Sequence, residues 1–120
     1  MLQIFVLERE PYWAPELRRQ FLDDTSVSVR HLQTAADVHA AAGSSGGVLI
    51  GDVSALTREC VEVFRQPMNL FTILLGGPEE MDLENPLREA GADSFFTESV
   101  SGEEIGRRIR KAESLISETC

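Results

Sequence analysis

Cysteine, histidine and basic residues are scarce in this chain, and no apolar run is long; each scarcity removes a class of protein. The two cysteines, Cys60 and Cys120, stand far apart. No disulfide framework is written into such a spacing, so free thiols in a reducing compartment, the cytoplasm, are expected. No apolar stretch is long enough to cross a membrane. The opening MLQIFVLERE lacks the basic start and small-residue cleavage site of a signal peptide and reads as a first strand. Eleven Lys and Arg face 20 Asp and Glu, a formal net charge of −9. Such a surface repels phosphates and argues against a nucleic-acid partner for the domain as a whole. His31 and His39 have no partner at a metal-ligand spacing, so surface or satisfied-core roles are expected. No Ser/His/Asp or Cys/His arrangement is legible and no G-x-G-x-x-G follows a strand, so no enzyme is expected.

What is present is alternation. With 120 residues the chain fits one domain, 1–120, large enough for a hydrophobic core of its own. Leu2 to Leu7 is a strand. Glu16 to Leu22 is a helix with Trp13, Leu17 and Phe21 on one face. Ser26 to Leu32 alternates Val27, Val29 and His31 with polar residues, the pattern of an edge strand. Ala35 to Ala42 is a helix stopped by Gly43, followed by the flexible connection from Gly43 through Ser44 and Ser45 to Gly47. Val48 to Ile50 and Leu70 to Leu75 are wholly apolar central strands. Between them, Thr57 to Arg65 is a helix with Cys60, Val61 and Phe64 on its apolar face. Gly76-Gly77-Pro78 reads as a tight turn. A helix through Leu83, Leu87 and Ala90 ends at Gly91, with Pro86 delaying its start, and Ser94 to Thr97 is the last strand. Ser101-Gly102-Glu103-Glu104 matches a capping box and opens a helix striped by Ile105, Ile109, Ala112 and Ile116. Strands and helices in turn predict an α/β fold: a doubly wound, five-stranded parallel sheet in the flavodoxin-like order 2-1-3-4-5, with helices on both faces.

In such a sheet a site lies beyond the carboxyl ends of the strands. The first strand ends in Glu8-Arg9-Glu10, the third in Gly51-Asp52, the fourth in Gly76-Gly77 and the fifth in Thr97-Glu98-Ser99. Glu8 and Asp52 are expected to face each other, an arrangement able to hold a hard divalent cation or, at Asp52, to attack a phosphoryl group. Polar strand ends without function are the competing reading. Core packing is the ordinary expectation for Tyr12 and Trp13, with lining of a pocket mouth as the alternative. Cys60 is read as a small core residue.

Two stretches carry a family resemblance. Gly47-Val48-Leu49-Ile50-Gly51-Asp52 resembles the third strand of bacterial response-regulator receiver domains, which ends in the phosphoacceptor aspartate. Leu87 to Thr97, with Ala90-Gly91-Ala92, resembles their fifth-strand region. The resemblance runs from Leu2 to about Ile116. It implies Asp52 as phosphoacceptor, Ser54 as the donor of a metal-binding backbone carbonyl, Glu8 as the first of two acidic metal positions, and Phe95 as the switching aromatic. The sequence departs from the family at three pocket positions. Arg9 replaces the second acid, Gly76 replaces a Ser or Thr, and Glu98 replaces a lysine, followed by Ser99 in place of proline.

These departures share a direction. Phosphate stabilisation needs positive charge and donors aimed at the phosphoryl oxygens, and each lost contact removes about 1–3 kcal/mol. Glu98 repels a dianionic phosphate, while Arg9, pairing with Glu98 or Asp52, is a candidate lock that needs no metal. The expected function is therefore a pseudo-receiver of a two-component phosphorelay, acting through protein–protein contact with no cofactor or a weakly bound Mg2+. The alternatives are a working receiver phosphorylated on Asp52 with Mg2+ and, more remotely, a small flavodoxin-like cofactor binder. For a flavin phosphate, though, the acidic, proline-bearing loop from Glu8 to Ala14 lacks suitable donors. The resemblance implies a histidine kinase, output protein or scaffold as partner. It also implies an interaction face on the fourth helix, fifth strand and fifth helix, where Glu84, Glu89 and Asp93 are placed to pair with Arg107, Arg108 and Lys111 across a two-fold axis; Arg110 belongs to the same basic run. A solvated helix face is the ordinary alternative for these charges.

Overall fold

Side chains alternate along a strand, so the first strand sends Leu2, Ile4 and Val6 to one face of a sheet and Phe5 and Leu7 to the other. The computed structural model describes residues 2–43 and 46–119, with side chains as far as Ser114. The expectations for Ser44, Ser45, Ile116 and Cys120 lie outside the described residues and side chains. The strands β1 (Leu2–Leu7), β2 (Val27–Leu32), β3 (Gly47–Asp52), β4 (Leu70–Leu75) and β5 (Ser94–Phe96) are all parallel. Their order is β2-β1-β3-β4-β5, the doubly wound arrangement read from the sequence.

Two apolar layers hold the helices to this sheet. On one face α1 (Trp13–Gln20) and α5 (Gly102–Thr119) pack Ala14, Leu17, Ile105 and Ile109 against Ile4, Val6, Val48, Ile50 and Ile73. On the other, α2 (Ala35–Ala42), α3 (Thr57–Val63) and α4 (Glu84–Ala90) pack Val38, Cys60, Val63 and Leu87 against Phe5, Leu7, Leu49 and Leu74. Burial of each such Leu or Ile contributes about 2 kcal/mol. β2 is an edge strand and only half-buried, as its alternation predicted.

Several boundaries differ from the sequence reading, each for a local reason. α1 starts at Trp13 rather than Glu16 because its first backbone N–H groups find an acceptor in Glu8. The buried pair on α3 is Cys60 and Val63, whereas Val61 is exposed. The reading of a bare turn at Gly76-Gly77-Pro78 missed a 3-10 turn over Pro78–Leu83, which leads directly into α4. Pro86 sits in the first turn of α4, where its missing N–H costs no helical bond. That helix ends at Gly91, whose φ of +133° is closed to most side chains. Among the described residues no helix is long and apolar enough to cross a membrane.

Candidate functional site

The β1–β3 boundary is where the helical connections leave for opposite faces of the sheet, and beside it a cleft opens beyond the ends of β3, β4 and β5. It has a volume of about 500 Å3 and contains Asp52, Ser54, Gly76, Gly77, Thr97 and Glu98 in its lining. Asp52 ends β3 half-buried. Its Oδ1 accepts the Ala55 N–H at 3.3 Å. Tyr12 and Trp13 form one wall, their rings edge to face at 5.2 Å and 86°. Tyr12 is 66% exposed, so it belongs to the mouth of the cleft and not to the core; Trp13 does both, packing on the α1 side of the core as well.

The expected Glu8–Asp52 carboxylate pair is not formed in the cleft. Glu8 is buried, 1% exposed, beneath the start of α1. Its Oε1 accepts from Trp13 N–H at 2.8 Å, and its Oε2 from Ala14 at 2.9 Å and Tyr12 at 3.1 Å. The negative end of this side chain thus satisfies the orphan donors at a helix N-terminus, and Glu8 is absent from the cleft lining. Arg9 does not form the predicted ion pair either. Its guanidinium reaches across to the turn after β3 and donates to the Ala55 carbonyl at 2.7 Å. Among the described residues no ion pair joins Arg9, Asp52 or Glu98.

At the end of β4, Gly76 N–H continues the ladder to the Phe96 carbonyl at 2.8 Å. A Cβ on Gly76 would lie 3.2 Å from Phe95 Cζ and 3.2 Å from Glu80 Cβ. Phe95 is turned inward and buried, and the absence of a side chain on Gly76 leaves room for its ring. Glu80, on the 3-10 turn, turns its carboxylate back to two residues of the cleft lining. Its Oε1 accepts from the Ser54 hydroxyl and, at 3.1 Å, from Gly77 N–H. Glu98 is exposed at the mouth. No Lys, Arg or His lines the cleft among the described residues.

These donors do not fit a divalent cation. A hard ion such as Mg2+ wants several oxygens in near-octahedral array. Here Glu8 is engaged elsewhere, a guanidinium stands at the second acid position, and no group of three or more His, Cys, Asp or Glu is placed to hold a metal among the described residues. The acidic residues that share the cleft lining with Ser54 are Asp52 and Glu98.

Behind the site lies Cys60, buried on α3. Burial, reinforced by the charges of Asp52 and Glu59, pushes its thiol up to about 12, so it is a poor nucleophile. On the α4–β5–α5 side the charges are partnered within the chain. Arg107 and Arg108 both reach Glu104, at 2.6 and 3.3 Å, and Arg88 reaches Glu84 at 3.0 Å. The guanidinium of Arg107, then that of Arg108, holds the Glu104 carboxyl below the usual carboxylate range. Arg108 also lies over the Phe96 ring, and Arg110 over Phe21, at 4.5 Å, while pairing with Asp24. Asp93, just before β5, accepts the N–H of Thr72 in β4 at 2.8 Å. Glu89 and Lys111 are exposed and without ion-pair partners among the described residues.

Sequence reasoning missed Glu80. A glutamate three residues after an N-cap is a known helix-start signal, but the N-cap here is Gly77, which supplies no side chain to complete the pattern. The His31 and His39 side chains each bury a ring nitrogen with no partner. They belong to different elements, and neither lines the cleft.

No family model matches the sequence, and no curated protein is similar enough in sequence to match it. Solved structures do match in fold. The receiver domain of the TMAO respiratory system response regulator TorR superposes with a TM-score of 0.79 at 18% identity, over 97% of this chain and 99% of that one. The regulatory domain of the repressor of iron transport regulator RitR, in its inactive form, gives 0.70 at 17% identity, over 95% and 96%. A structure described as a novel family of redox sensors in the streptococci, evolved from two-component response regulators, gives 0.71 at 16% identity; this chain covers 56% of it. The fold is that of response-regulator receiver domains.

Proposed function

We propose that this chain is a cytoplasmic signalling module in which the receiver fold is kept and the ordinary aspartyl-phosphate switch is not. It acts by protein–protein contact, without enzyme activity and without a resident cofactor. The observation that carries this reading is the charge and donor inventory around Asp52. Among the described residues its cleft holds Asp52 and Glu98 with no base, the Ser54 hydroxyl and Gly77 N–H are directed to Glu80, and Arg9 is directed to a backbone carbonyl. A dianion on Asp52 would meet the like charge of Glu98 at the mouth and no base in the cleft lining to offset it. The missing hydroxyl at Gly76 also removes the contact that would couple phosphate to Phe95, whose ring is already seated inward.

Partners are a histidine kinase, an output protein or a scaffold, engaged through the α4–β5–α5 face, where a second copy of the chain is one occupant. Glu89, Asp93 and Lys111 are exposed charges of that face with no ion-pair partner among the described residues. One observation favours a second reading, phosphorylation at Asp52: the carboxylate sits in an open cleft and is held by one long hydrogen bond. Redox sensing through Cys60, by analogy with the streptococcal sensors, is disfavoured by burial and by the raised thiol.

A magnesium titration followed by fluorescence of Trp13, the single tryptophan, tests the reading. The wild-type signal is expected to stay flat, because Glu8 remains engaged under α1 and Arg9 stands at the second acid position. Saturable binding by the wild type contradicts it.

A further inference from the structure

Two residues of the cleft lining, Ser54 and Gly77, turn donors to a single acceptor. The Ser54 hydroxyl comes from the turn after β3 and the Gly77 N–H from the end of β4. Both end on one oxygen, Glu80 Oε1. Glu80 is half-buried, its own N–H bonds to the Gly77 carbonyl at 3.0 Å, and its Cβ closes on Gly76. Helix-start capping alone accounts for the Gly77 contact, but it does not account for Ser54, 26 residues away in sequence on a different strand end. We infer that Glu80 is a built-in anion for this cleft: its carboxylate occupies the donors that an exogenous oxyanion beside Asp52 would use, and clasps the β3 turn to the end of β4.

The inference rests on the reading of the cleft as one that does not accept phosphate, and supplies its cause. Hydrogen bonds to an ionised acceptor are stronger than neutral ones, so an incoming oxyanion must displace a charge-assisted contact and then sit beside the displaced carboxylate. Glu80 also spans two strand ends, so its release frees the two loops from each other, a discrete change of the kind that switches are built on. Removing Glu80 opens the donors and removes the competing charge together.

The test uses Glu80→Ala, with Glu79→Ala as control, since Glu79 is exposed and makes no hydrogen bond to the cleft among the described residues. Amide exchange at Gly77 and amide shifts at Ser54 and Gly77 on addition of inorganic phosphate are both read by NMR. In Glu80→Ala, Gly77 exchange is expected to accelerate about tenfold, the factor of one lost hydrogen bond, and phosphate is expected to shift both amides. Wild type and Glu79→Ala are expected to show neither effect. Unchanged Gly77 exchange in Glu80→Ala, or an equal phosphate response in Glu79→Ala, overturns the inference. Should the wild type bind phosphate as the variant does, the broader reading of the cleft fails with it, whereas unchanged exchange alone removes only the role of Glu80.

Discussion

Glu8 Oε1 accepts the backbone N–H of Trp13 at 2.8 Å, while Glu8 Oε2 takes the next amide, that of Ala14, at 2.9 Å. A side chain that ends the first strand is thereby spent on starting the first helix, and the aromatic wall of the cleft is fixed by it. The same contacts explain why no pair of carboxylates forms opposite Asp52.

Loss of this acceptor is expected to be costly. Glu8→Ala leaves three buried or half-buried amides without a partner, and is expected to lower stability by about 3 kcal/mol. Glu8→Gln, which keeps an oxygen but not the charge, is expected to lose less. Urea unfolding reads both. Equal stability of wild type and Glu8→Ala would assign the helix start to other causes.

Restoring a hydroxyl at the fourth strand end is expected to do harm rather than good. In Gly76→Thr the new Cβ meets Phe95 Cζ and Glu80 Cβ at 3.2 Å, so the ring or the 3-10 turn must shift. A loss of about 1–2 kcal/mol is expected from this overpacking, with displaced Phe95 ring resonances. A stable variant with unmoved Phe95 would mean that the close contact is readily relieved.

The Cys60 thiol gives a pH dependence with a definite sign. Its value is raised in the folded state from an ordinary 9.0 to about 12. The neutral thiol is therefore favoured by folding, its contribution is intact below pH 9, and stability falls as pH rises from there towards 12. In a Cys120→Ser background, Cys60 is expected to resist Ellman's reagent in the native state and to react on unfolding. Rapid native labelling would reopen the case for a thiol sensor.

Reversal of charge on the fifth helix tests the interaction face. Arg108→Glu with Lys111→Glu removes two bases from it, and any self-association through that face is expected to drop to monomer in sedimentation. An unchanged sedimentation profile would place the partner surface elsewhere.

The legibility of this chain was uneven for physical reasons. Period-two and continuous apolar runs report burial directly, so β1, β2 and β4 and the strand order followed from the sequence. The end of β3 at Asp52 and the glycine stop at Gly91 followed from residue chemistry. The cleft was less legible because its arrangement depends on where side chains turn. Glu8 and Arg9 sit at the strand end where metal-site residues belong by resemblance, yet one turns under α1 and the other crosses to Ala55. Glu80 was invisible because its partners, Ser54 and Gly77, meet it only through tertiary structure.

The most direct test of the central claim is intact mass after incubation with acetyl phosphate and Mg2+, with Asp52→Asn as control. No adduct on the wild type is the expected result. A stable single-phosphate adduct that disappears in Asp52→Asn would contradict the proposal and make the chain a working receiver despite Arg9, Gly76 and Glu98.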